Sequence, residues 1–77
     1  MNTTNKSENY LYDLGKELVT LARKAQQESM RNKDPFQKGR QTAFYEVLSL
    51  MKQQAAAFGM DDNTIGLKGI DIETLLS

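Results

Sequence analysis

Apolar residues recur along this chain at helical intervals. Leu11, Leu14, Leu18, Leu21 and Ala25 follow one another at alternating steps of three and four, the spacing that lines one face of an α-helix. Ser7 offers a capping oxygen, Glu8 puts a negative charge in the first turn, and Arg31 and Lys33 put positive charge at the far end. Each suits the helix dipole at its own terminus, so the pattern predicts a helix over about 8–31. A second stripe, Phe44, Val47, Leu48, Met51, Ala55 and Phe58, predicts a helix over about 35–58. It opens on Asp34-Pro35-Phe36-Gln37, with Asp at the N-cap, Pro at N1 and Gln at N3 in a variant of the capping box. Gly59 stands where a left-handed residue closes a helix.

Two long helices joined by so short a turn must lie antiparallel. Positions equidistant from the turn, with numbers summing to about 69, then pair Leu11 with Phe58, Leu14 with Ala55, Leu18 with Met51, Leu21 with Leu48 and Ala25 with Phe44. Every apolar residue finds an apolar partner, and the next rung sets Glu28 near Arg40 or Gln41. The expected fold class is all-α: a disordered leader, 1–6, an antiparallel helical hairpin, 7–59, and a tail, 60–77. Within the tail, Gly66 and Gly69 mark irregular chain, and Asp71 suits the cap of a short helical turn holding Ile72, Leu75 and Leu76. A strand around 65–70 is the competing reading. Ile65, Leu67, Ile70, Ile72, Leu75 and Leu76 are too apolar to stay in water, so the tail is expected to dock on the hairpin or on a second subunit.

At about 100° per residue, more apolar surface remains than this seam covers. Phe36, Ala43 and Leu50 form a line roughly 80° from the centre of the second helix's stripe, bordered by Gly39; Tyr12, Val19 and Met30 form another, about 120° from the leucine seam of the first. These six are the candidate self-association residues. A tail folded back over one line would complete a monomeric core, whereas two hairpins packed together would form a dimeric four-helix bundle. At ~1.5 kcal/mol per ordered residue and ~25 cal/mol/Å² of apolar burial, a compact chain of 77 residues only breaks even. A homodimer is therefore expected.

Composition removes whole classes of chemistry. With no Cys and no His, thiol nucleophiles, disulfides, structural zinc and imidazole acid–base catalysis all drop out. Ten basic residues balance ten acidic ones, but unevenly: 1–60 hold nine basic and six acidic residues, a charge of +3, and 61–77 hold one against four, a charge of −3. The polar start, 1–7, has no apolar core, and no run approaches the ~18 apolar residues of a membrane span. A cytoplasmic protein without a signal peptide or membrane contact is expected.

Motif by motif, the chemistry is thin. Asp61, Asn63 and Gly66 fit three positions of a calcium loop, but Ile65 and Ile72 stand where an acceptor and a bidentate Glu are required; capping after a helix end is the simpler reading. Glu46 reads as a solvated helix face rather than a general acid, the serines have no His, and no phosphate-cradling glycine loop occurs. No catalytic residue, metal ligand or cofactor is expected. Arg31, Lys33, Lys38 and Arg40 cluster at the hairpin tip, where they would touch phosphates without reading bases or would meet an acidic partner, the chain's own tail included. Cations at a helix end with one Arg paired to Glu28 are the plainer alternative. Tyr45, expected on an exposed polar face, is a candidate partner contact because aromatics are enriched in binding hot spots. The expected function is a non-enzymatic, self-associating module that binds another protein; the alternative is a weak nucleic-acid binder using the tip.

Overall fold

The computed structural model describes residues 6–77 and is all-helical among them. Helix α1 spans Lys6–Arg31, α2 spans Pro35–Ala57, and a single 3-10 turn spans Ile72–Leu76. The two helices pack against each other as a hairpin. Leader residues 1–5 lie outside the described part, and Lys6 is already helical. Ser7 is therefore inside α1, one residue past its start.

The turn between the helices forms for the reasons its residues suggest. Asp34 is extended, at φ −97° and ψ 162°, and its carboxylate accepts the Gln37 N–H at 2.9 Å. The reciprocal half of the capping box does not form. The Asp34 N–H instead donates to the Asn32 carbonyl at 2.8 Å, and Gln37 Oε1 is buried without a hydrogen-bond partner. At the other end of α2, Gly59 takes φ 72°. The Gly59 N–H donates to Ala56 and the Met60 N–H to Ala55, at 3.1 and 2.8 Å, the paired bonds of a Schellman cap. Met60 also packs beside Ala55 and Leu11 in a shallow groove shared with Met51 and Phe58. Leu11 and Phe58, which the antiparallel register pairs, thus line the same groove.

Residues 60–77 return along the hairpin, antiparallel to α2. The Asp61 carboxylate accepts the Thr64 N–H and hydroxyl at 2.9 and 2.8 Å, closing a first turn. The Gly66 and Leu67 N–H groups donate to Asn63 and Asp62 at 3.1 and 2.8 Å, and Gly66 sits at φ 76°. A second turn, Leu67–Ile70, carries Gly69 at φ 75° and an Ile70 N–H to Leu67 carbonyl bond of 3.1 Å, the left-handed third position that a type II turn requires. Asp71 then caps the 3-10 turn through the Glu73 N–H at 3.1 Å. The competing strand reading for 65–70 is set aside: this segment is turns.

Docking of the tail moves the centre of the core. Its members are Val19, Ala22, Leu48, Ala55, Ile65, Leu67, Ile72 and Leu75. In α1 the buried line is Gly15, Val19, Ala22, Ala25 and Ser29, while Leu11, Leu14 and Leu18 are half-buried and Leu21 is exposed. At 100° per residue that line lies about 60° from the leucine seam, on the tail's side. In α2 the buried line is Gln41, Leu48 and Ala55, about 50° from the expected stripe and again toward the tail. Residues wedged between two neighbours are covered most completely, so the third element sets which residues are deepest.

At Gly15 and Gly66 the backbones of α1 and the tail approach closely. A Cβ at Gly15 would overlap the Ile65 carbonyl oxygen and lie 2.8 Å from its carbon. A Cβ at Gly66 would overlap the Tyr12 carbonyl oxygen and lie 3.0 Å from the Lys16 nitrogen. Gly69 needs the same left-handed backbone, but its surroundings are open. Replacing each by Ala separates conformation from crowding. Gly69→Ala should lose about 1 kcal/mol, whereas Gly15→Ala and Gly66→Ala should each lose about 3 kcal/mol or more, read as midpoint shifts in urea unfolding.

Candidate interaction surfaces

Two glutamines fasten the end of the tail. The last carbonyls of a helical turn lack partners of their own. Gln26 Nε2 of α1 donates to the Thr74 and Ser77 carbonyls at 2.8 and 3.3 Å. Gln41 Nε2 of α2, fully buried, donates to the Leu75 and Ser77 carbonyls at 2.6 and 3.3 Å. Tyr45 OH donates to Glu73 Oε2 at 2.8 Å, and Lys52 pairs with Asp62 at 3.4 Å. The acidic tail is thus held by its own hairpin, but through Tyr45 and Lys52 rather than through the cationic tip.

Those contacts place several of the candidate residues. Tyr45 is half-buried against the core instead of exposed, and its hydroxyl is used within the chain. Val19 is buried beside the tail, while its line-mates Tyr12 and Met30 stay exposed at the two ends. Lys16 Nζ lies 5.5 Å from the Tyr12 ring centroid. At the tip, Glu28 pairs with Arg31 at 3.2 Å rather than with Arg40. Arg40 lies over the Phe44 ring at 5.7 Å, and Lys38 Nζ reaches Gln41 Oε1 at 3.4 Å. Lys33 and Lys38 flank a cleft of about 390 Å³ with Ser29, Met30, Gln41 and Ser77. Three of the four tip cations therefore have a local partner.

The opposite face of the hairpin has a different character. Phe36 is 72% exposed, Leu50 56% and Phe58 77%; Ala43, Val47 and Leu21 are exposed beside them. Helical geometry puts Phe36, Ala43, Val47, Leu50 and Phe58 on the side of α2 away from Gln41, Tyr45 and Lys52, which hold the tail. Leu14, Leu21 and Tyr10 continue the surface across α1. Of the two apolar lines left over by the helix seam, the tail covers the middle of one, and the line of Phe36, Ala43 and Leu50 faces outward.

Among the described residues, no group of three or more acidic, His or Cys side chains is placed to hold a metal ion. No helix among them is long and apolar enough to cross a membrane. No family model, curated protein or solved structure matches the chain.

Gln26, Gln41 and Gly15 escaped the sequence reading, although two of them left a trace. Gln41 stands seven residues before Leu48 and fourteen before Ala55, a polar side chain on a core line, which requires a buried partner. Gly15, Ala22 and Ser29 repeat at sevens, a small-residue line that lets another backbone come close. Gln26 left no such signal, because its partners are carbonyls of a distant turn.

Two ionisable groups report on the docked tail. Hydrogen bonds from the Thr64 backbone and side chain hold the Asp61 carboxyl below the usual carboxylate range. Its contribution to stability is present above the unfolded value near 4 and is lost as pH falls through the folded one. The hydrogen bond to Glu73, with some desolvation and the Glu73 charge, raises the Tyr45 phenol above its ordinary value. That contribution is present below about pH 10 and is lost as pH rises through the raised value. Tyr45→Phe should remove a step above the ordinary phenol value from the tyrosine absorbance titration. Gln41→Ala should cost about 1–3 kcal/mol and speed amide exchange at Thr74 and Ser77 more than within α1 or α2.

Proposed function

We propose that this chain is a non-enzymatic, cytoplasmic interaction module: a helical hairpin that self-associates into a dimeric four-helix bundle and, as that bundle, binds another protein. The observation that carries the reading is the outward apolar face, with three large side chains more than half exposed after the tail has docked. A face that both helices share is broad enough for a stable contact. Two helices side by side, about 35 Å long and about 20 Å across, present on the order of 700 Å² per copy, close to the ~800 Å² of a standard interface. Large apolar side chains grouped on one side of a monomer mark an interaction site. The tail's turns and the tip then lie outside the bundle, where a further partner has access. A nucleic-acid role is the weaker alternative, because Arg31, Lys38 and Arg40 already make contacts within the chain.

Sedimentation equilibrium at micromolar concentrations should return twice the 8.7 kDa of the chain. Leu50→Lys should weaken association by about tenfold or more while leaving the far-ultraviolet circular dichroism helical. A wild-type mass of 8.7 kDa across that range would refute the reading.

A further inference from the structure

The outward line of α2 has an internal order that fixes how two copies meet. Phe36, Ala43, Leu50 and Ala57 lie seven residues apart, so they stack along one side of the helix. All four are exposed. They alternate large, small, large, small. Reversed about a point between Glu46 and Val47, the line is complementary to itself: Phe36 falls opposite Ala57, and Ala43 opposite Leu50. Gly39 then falls opposite Gln54, and beyond its own turn of helix no atom of this chain lies within 4 Å of where its Cβ would be, which leaves room for the longer side chain. Side-by-side packing in the same direction sets Phe36 on Phe36 and Ala43 on Ala43, a clash followed by a gap.

Resting on the self-associating reading above, we propose that the two copies pack antiparallel, α2 lying along the α2 of its partner across a two-fold axis beside Glu46 and Val47. A two-fold contact uses one patch twice and demands self-complementarity, and alternating large with small side chains across the contact fills it without voids. Charge selects the same direction. The tip carries Arg31, Lys33, Lys38 and Arg40 against Glu28 and Asp34, an excess of two positive charges. Parallel hairpins set two such tips together, whereas antiparallel ones hold them about 35 Å apart, well beyond the ~8 Å screening length at physiological salt. The tips point to opposite ends of the bundle, so a partner that recognises them finds two separate sites and not one doubled patch.

The chain has no cysteine, so one introduced thiol labels one place. Lys33→Cys, on the exposed turn, carries a nitroxide, and the same sample is sedimented and measured by electron–electron double resonance. A dimer with labels about 35 Å apart is expected. A dimer with labels closer than about 20 Å, the parallel outcome, overturns the antiparallel arrangement and leaves self-association standing. A monomer overturns the self-associating reading itself. As a second readout, an equal mixture of Gly39→Cys and Gln54→Cys chains should oxidise to the mixed disulfide in at least tenfold excess over either like pair. Preferred like pairs would refute the register.

Discussion

The fold depends on a place where two backbones come close enough to exclude any side chain. Gly15 on α1 and Gly66 in the tail meet so tightly that a Cβ on either would overlap a carbonyl oxygen of the other segment. That approach lets a tail made largely of turns lie flat against two helices. It also positions Ile65 and Leu67 to be buried beside Val19 and Leu48. Side-chain bonds from Gln26 and Gln41 then hold the far end of the tail through its Thr74, Leu75 and Ser77 carbonyls. A small domain with no cysteine is here closed by a third strip of chain.

The same docking decides what remains outside. Because the tail pulls the buried lines of α1 and α2 toward itself by about 50–60°, the side of each helix opposite the tail turns to solvent. Leu21, Phe36, Leu50 and Phe58 are exposed as a consequence, not as isolated surface residues but as one surface across both helices.

Much of this was legible in the sequence. The hairpin, the Asp34-Pro35 turn, the Gly59 cap and the Asp71-capped final turn follow from local chemistry, which acts over a few residues and leaves a local mark. The rotation of the core did not follow, because leucines draw attention by volume while Gly15, Ala22 and Ser29 are buried for being small. Glu28 shows the same limit. Its expected partner was Arg40 across the turn, but Arg31, three residues along the same helix, pairs with it instead. Tyr45 looked free only because the residue that occupies it, Glu73, arrives from the far end of the chain. Long-range contacts made by irregular segments leave no periodicity to read.

That the tail stays on its own hairpin while the opposite face joins two copies can be tested in a single dilution series, followed by methyl resonances in nuclear magnetic resonance. On dilution, the methyls of Leu21, Val47 and Leu50 should shift together along one binding curve, while those of Ile65, Leu67 and Leu75 hold their positions. Shifts concentrated in Ile65, Leu67 and Leu75, or no shift at Leu50 at any concentration, would contradict it.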